Sequence, residues 1–450
     1  MRAFFRHGFF ITCKDFSMRD KNAGAPIGVG VDFGTTNSVV ALAFAGGHVE
    51  SLTWPSAFGA TDTFRTALMF WRDGRRIAHA AGPQAIARAI AEDGEQRFIQ
   101  SIKTHLASRL FTETRLYGER FTIERLIATF LGSLFDQDAL RNSKSAVRSL
   151  PVMAGRPVVF AGERPDEELA VQRLKSAYAL AGMDQIELVF EPLGAAYWYA
   201  RKLERNETVL VADFGGGTSD FSVLRFSRKG ATLEAQPLAH SGVGVAGDTF
   251  DYRIIDNVVA PRLGKGSFYR SFGKRLPIPA YFHAAFAQWH QLSWLKTTQT
   301  LNELRKLILS AEEPRMLEDL LTVIEHDLGF ELYRAIGDVK AKLSAEEEAR
   351  FTFAREGIKI DALVRRKDFE SWIEDDLARI SDAMDEAITG AELDAAEIDA
   401  VFLTGGTSFV PAVRKMFVER FGDARVHIGD AFQSVASGLA LIAADRARAA

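Results

Sequence analysis

The chain has 450 residues, 47% of them hydrophobic and 25% charged, enough apolar side chains for more than one core and so for two or three domains. A formal net charge of −4 argues against a nucleic-acid partner held on a basic surface, because neutralising phosphates takes clustered Lys and Arg. The lone cysteine, Cys13, excludes an intramolecular disulfide and a cysteine-based metal site, and fits a reducing, cytoplasmic setting.

In chain order, the first 26 residues carry five Lys or Arg against two Asp, with aromatics but no clean apolar run. They predict a disordered lead-in, or a stretch upstream of a start near Met18, over a transit peptide. From Ile27, IGVGVDFGTTNSVVALAF alternates apolar residues, turns through Gly34, Thr35, Thr36 and Asn37, and resumes with β-branched residues, the pattern of a β-hairpin. Leu126 to Phe135 is apolar but broken by Thr, Gly and Ser, and falls short of the roughly 18 residues that cross a bilayer. No membrane partner is expected. Residues 147 to 160 predict a strand ending in a Gly-Arg-Pro corner, and 165 to 183 an amphipathic helix. A short strand then runs into Glu191-Pro192, with a helix starting near Leu193. Arg156, at the corner, either reaches a cleft or caps the turn.

TVLVADFGGGTSDFSVLRF, at 208 to 226, repeats the order of apolar strand, Asp-Phe-Gly, small-residue turn, Ser and apolar strand, about 180 residues after the first copy. That repeat predicts duplicated domains with two equivalent Gly-rich turns facing one cleft. Between 253 and 315 Gly, Pro, Arg and aromatics occur without sustained periodicity, which reads as a peripheral insertion. Its basic aromatic stretch, Arg262 to Arg275, reads as a solvated loop rather than a contact for an anionic partner. Long charged helices are expected from Arg315 to Lys342, and another from Asp368. A strand, a Gly405-Gly406 turn and a helix follow, and the final segment is helical.

The turns carry the chemistry. Wrapping phosphate oxygens requires backbone N–H groups close to a bulky anion, so Gly34 supplies a missing Cβ while Thr35 and Thr36 add hydroxyl donors. Asp32 cannot bind phosphate directly and makes sense beside it only with a cation or an oriented water between them. Gly215, Gly216 and Gly217 inside a strand pair weaken the hairpin, which close approach to a ligand explains. Thr218 adds a hydroxyl, and Asp213 and Asp220 place a carboxylate at each end of the turn. Gly405 and Gly406, at a strand end opening a helix, let a flat ring or ribose lie on bare backbone.

The order DFGTTNS, DFGGGTSD, FLTGGTSFVP resembles the actin-like ATPase superfamily, and its wording is closest to the Hsp70 family. The likeness runs from about Ile27 to Leu441. It implies an α/β, ribonuclease H-like fold of two duplicated lobes closing on ATP and Mg²⁺. The lobes are expected at 27 to 204 and 205 to 445, with peripheral subdomains at about 56 to 120 and 246 to 366. RFIQSIKTHL resembles the segment that brings the family's catalytic lysine to the phosphates, which implicates Lys103; VFEPLGAA implicates Glu191; and DVKAKLS, similar to the adenosine-contacting segment, implicates Lys340 and Ser344. Read alone, Lys103 and Lys340 also fit solvated helix charges, and Glu191 a surface carboxylate.

The resemblance implies that Thr35, Thr36 and the backbone of Gly215 to Gly217 hold the phosphates, with Gly34, Asn37, Thr218 and Gly247 among the nucleotide-binding residues. It places Asp32, Asp213 and Asp220 on Mg²⁺, mostly through water. Lys103 would stabilise charge at the γ-phosphate, Asp213 or Asp220 would orient the attacking water, and Glu191 would support the metal's hydration shell. Lys340, Ser344, Gly405, Gly406, Thr407 and Phe409 fall to the adenosine end. There the chain departs from the family: Gly337 stands where members carry a ribose-binding Glu, and Phe409 where they commonly carry Arg, so Phe409 would stack on the base without charge. The stretch between Asp251 and Lys340 is also longer than is typical, where nucleotide-exchange partners would dock. Only ten residues follow Ala440, so the family's interdomain linker, peptide-binding β-sandwich and lid are expected to be missing. The expected function is a chaperone-type ATPase switch with a protein client or co-chaperone; a small-molecule kinase and a filament-forming ATPase of the same fold are the alternatives.

Overall fold

A computed structural model describes residues 25 to 449 except 57–58, 92–95, 136–149, 161–163, 184, 201–202, 204, 230–231, 288–291, 293–294, 327 and 429–433. The expected lead-in, 1 to 26, lies almost wholly outside the described residues. The alternating apolar segments become the strands of two central sheets. The first contains β1 (Pro26–Phe33), β2 (Asn37–Phe44), β3 (Val49–Ser51), the two-residue β4 (Phe64–Arg65), β5 (Val152–Arg156) and β6 (Ile186–Phe190). Its order is β6-β5-β1-β2-β3, with β4 also paired to β2. The second contains β7 (Glu207–Phe214), β8 (Ser219–Lys229), β9 (Thr232–Val243), β10 (Ala400–Thr404) and β11 (Val426–Ile428), in the order β9-β8-β7-β10-β11.

The two sheets are copies of one topology. In each, an antiparallel hairpin holds the Asp-Phe-Gly turn, and its first strand takes a parallel partner: Val29 opposite Val152 in one, Val209 opposite Ala400 in the other. Asp32 and Asp213 therefore occupy the same place, one residue before the end of their strand. Each sheet carries its own apolar core, and a third cluster joins them. It draws Met153 and Val189 from the first sheet and Val209, Val211 and Phe402 from the second, bridged by two helices.

Those bridging helices meet through small residues. Residues 191 to 200 and 434 to 449 form them, and a Cβ added at Gly438 would stand 1.8 Å from the Gly194 carbonyl oxygen. On the second helix's other side, a Cβ at Gly30 would stand 2.0 Å from the Ala436 carbonyl oxygen. Contacts this close leave no room for a methyl group. Gly438→Ala is therefore expected to lower stability by about 1–3 kcal/mol, the usual range for overpacking, which thermal unfolding measures directly.

Several expected elements shift. The helix expected near Leu193 begins at Glu191, putting Pro192 in its first turn. The supposedly aperiodic stretch 253–315 holds the hairpin strands Phe268–Ser271 and Lys274–Pro277 and the helices Tyr281–Ala284 and Thr298–Ile308. In the last, Thr297 caps Thr300 N and the buried Leu304 and Leu307 face the second core, a short apolar face diluted by polar neighbours. The long charged helices expected from Arg315 to Lys342 are Pro314–Glu325 and Gly329–Ala345, and the one expected from Asp368 starts at Arg366 and breaks at Ile373. Arg262–Arg275 is ordered rather than a plain loop: the Arg262 guanidinium donates to the Val258 carbonyl, and Arg270 and Arg275 pair with Glu312. Arg156 caps its corner, donating to the Pro157 and Val158 carbonyls and pairing with Glu167 at 2.7 Å.

Candidate nucleotide site

The helices that position the site are α1 (Glu191–Ala200), α2 (Gly247–Ile254), α3 (Gly329–Ala345), α4 (Pro411–Phe421) and α5 (Ser434–Ala449). A cleft of about 1070 Å³ opens between the two sheets, and every candidate residue named above lines it. The two turns face each other at its centre. Gly215 N bonds the Thr218 carbonyl at 2.8 Å, closing the second turn, and Thr218 Oγ1 donates to Asp220 Oδ2 at 2.9 Å. A Cβ on Gly216 would stand 2.5 Å from Thr36 Oγ1 on the opposite sheet and 3.2 Å from Asp248 Oδ2, so glycine lets the lobes approach. At the third turn, Gly405 takes φ +86 and a Cβ there would stand 2.0 Å from the Phe214 carbonyl oxygen; a side chain would break the strand-to-helix step.

Lys103 lies on a short 3₁₀ turn, Ile102–His105, preceded by Ser101 in the left-handed region at φ 54. Its Nζ donates to Glu191 Oε1 at 2.6 Å, and both side chains are about nine-tenths buried. Neither is a solvated surface charge. Burial pushes the Lys103 ammonium down, but Glu191, Asp32 and Asp213 outweigh it and hold the lysine above its ordinary value. Asp32 is pushed up to about 7 by burial and by Glu191, with Lys103 pulling back. Asp213 rises well above the carboxylate range through burial, Asp32, Glu191 and Asp220. Burial also raises Asp220, against the Thr218 hydrogen bond. Four carboxylates thus crowd one lysine, an imbalance that a divalent cation would relieve. Among the described residues no three acidic or imidazole side chains converge as direct metal ligands. Carboxylate oxygens are the hard donors that a divalent cation such as Mg²⁺ takes.

At the other end, Lys340 Nζ is drawn inward, 2.8 Å from Asp251 Oδ1 and donating to the Gly247 carbonyl at 3.0 Å. Ser344 Oγ donates to the Lys340 carbonyl at 3.2 Å. Nothing lies within 4 Å of the Cβ position at Gly337, and Phe409 is half exposed at the rim. Sequence reasoning missed Arg65, Asp248, His240 and Phe160, which also line the cleft. Arg65 belongs to a two-residue strand too short for any pattern. Asp248 and Asp251, three apart on one helical turn, were the discoverable signal.

Comparison with known proteins agrees with the geometry. A family model described as "Hsp70 protein" matches residues 28–263 and 326–445, leaving out 264–325, most of the inserted stretch. Similar curated proteins include the "Chaperone protein DnaK" of Deinococcus deserti, 24% identical over 427 residues, covering 92% of this chain and 58% of that protein. Those of Thermotoga petrophila and Thermosipho africanus, also named "Chaperone protein DnaK", are 25% and 27% identical over 417 residues, covering 92% and 90% of this chain and 59% and 58% of theirs. The chain spans just under three-fifths of the length of these relatives. No helix among the described residues is long and apolar enough to cross a membrane. With paired Asp-Phe-Gly turns on duplicated sheets in the actin-like arrangement, and a family match over most of its length, the chain belongs to the Hsp70 family.

Proposed function

We propose that this protein binds and hydrolyses ATP as a chaperone-type nucleotide switch acting on a protein client or co-chaperone in the cytoplasm. The observation that carries the reading is the buried Lys103–Glu191 pair beside two mirrored Asp-bearing glycine turns in one cleft. Lobes at 27 to 204 and 205 to 445, with peripheral parts at about 56 to 120 and 246 to 366, would move as the two jaws.

The backbone N–H groups of Gly34 to Asn37 and of Gly216 and Gly217, with the Thr35 and Thr36 hydroxyls, hold the phosphates, while the Gly215 N–H and the Thr218 hydroxyl shape the turn. Asp32, Asp213 and Asp220 would hold Mg²⁺ through its waters, and the ion would neutralise charge on the phosphate oxygens. Lys103, aimed by Glu191, stabilises charge growing at the terminal phosphate. Asp213, or Asp220, orients the attacking water, so catalysis here is positioning and electrostatics. The base lies on Gly405 and Gly406 beside Phe409, near Thr407. Lys340 and Ser344 border the ribose, and without a carboxylate at Gly337 the phosphate end carries more of the affinity.

The Hsp70 match favours this reading over a sugar-type kinase or a filament-forming ATPase. ATP turnover by the purified protein, with and without a panel of sugars and other alcohols, tests it. Phosphate release that needs no acceptor is expected. Phosphate appearing on a panel member would sink the switch reading, and ATP-dependent light scattering that grows with protein concentration would favour filaments.

A further inference from the structure

Lys103, Lys340 and Arg65 are the lysines and arginines that line the cleft among the described residues. Lys103 is committed to Glu191 at 2.6 Å and Lys340 to Asp251 at 2.8 Å. The Arg65 side chain makes no hydrogen bond or ion pair with any described residue.

Its position is nonetheless built. Arg65 ends β4, opposite Asn37 of the first phosphate turn. The next residue locks it there: Thr66 N bonds the Thr36 carbonyl and Thr66 Oγ1 donates to the Gly34 carbonyl, both at 2.8 Å. Burial pushes the guanidinium below its ordinary value, while Asp248 and Asp251 on the other lobe push it back up. Asp248 has no ion pair among the described residues, yet its Oδ2 sits by Gly216, at the edge of the second turn. An anion entering between the turns would meet that carboxylate. The one uncommitted cation among the described lining residues stands opposite.

We propose that Arg65 is a polyphosphate-binding residue of this cleft, its guanidinium forking onto the terminal phosphate oxygens from the first lobe and screening them from Asp248. The inference rests on the nucleotide reading above. A guanidinium offers planar paired donors that match phosphate oxygens, which a lysine ammonium cannot reproduce. Because Lys103 is tied into the carboxylates, Arg65 governs how tightly the phosphates bind rather than the chemical step.

Isothermal titration of ATP, adenosine and inorganic tripolyphosphate into wild type, Arg65→Gln and Arg65→Lys, with thermal unfolding of each protein, tests this. Arg65→Gln is expected to weaken ATP and tripolyphosphate about 10- to 100-fold, the range for hydrogen bonds to a charged group, and to leave adenosine unchanged. Arg65→Lys recovers part of the loss. Unchanged ATP affinity in Arg65→Gln, or equal losses for ATP and adenosine, overturns the proposal. If Arg65→Gln fails to fold, Arg65→Lys decides: it must still lose more ATP than adenosine affinity. A wild type that binds neither ATP nor tripolyphosphate overturns the nucleotide reading itself, a result distinct from a wild type that binds and a variant that binds equally.

Discussion

Lys103→Ala is expected to slow ATP turnover by about 100- to 1,000-fold, as when one donor to developing transition-state charge is removed, while ATP still binds. The lysine is the cation at the centre of Asp32, Glu191 and Asp213, and its loss pushes Asp32 still higher. A second effect must be separated from this one. Glu191 is about nine-tenths buried, so deleting its partner strands a buried carboxylate, which costs about 3–5 kcal/mol of stability in such sites. The double variant Lys103→Ala, Glu191→Gln removes that stranded charge. Its melting temperature should recover most of the way while turnover stays low. Recovery of turnover together with stability would reduce Lys103 to a structural partner of Glu191.

The nucleotide-free protein should lose stability as pH rises from about 4 to about 7. Asp32 has a folded-state pKa of about 7, above the 3.8 of an ordinary aspartate, so across that window the folded chain keeps a proton that the unfolded chain has released. Its stabilising contribution is complete below pH 3.8 and is lost as pH climbs through 7. A shift of about 3 units corresponds to a ceiling of about 4 kcal/mol, at 1.36 kcal/mol per unit. Asp213 and Asp220, raised as well, tilt stability the same way. Asp166, held down by Leu169 N and Arg109, acts in the opposite sense but below 3.8, and His79, His105 and His283, each lowered by burial, oppose the slope below 6.5, so the Asp32 contribution is the difference between wild type and Asp32→Asn. Urea unfolding between pH 4.5 and 7.5 reads the slope, and Asp32→Asn should flatten it. Equal slopes for wild type and variant would rule out Asp32 as the source.

The sequence by itself determined the hairpins, their turns and their duplication, because period-two alternation and runs of glycine act on near neighbours. The glycines of the phosphate turns were readable for the same reason: Gly34 is crowded by Asn37, three residues on. Lys103, Glu191 and Lys340 were reached only through the family wording, since each alone fits an exposed helix charge. Only the tertiary structure buried them, by pairing residues 88 positions apart in one case and bending Lys340 onto Asp251 in the other. It also decided that Arg156 caps a corner while Arg65, in a fragment without pattern, lines the cleft with no side-chain hydrogen bond or ion pair among the described residues. The same holds for the Gly194–Gly438 crossing, where two unremarkable glycines become indispensable because helices far apart in sequence touch backbone to backbone. Local chemistry writes its signature in adjacent residues, whereas charge pairing and close packing across a cleft depend on which distant segments the fold brings together.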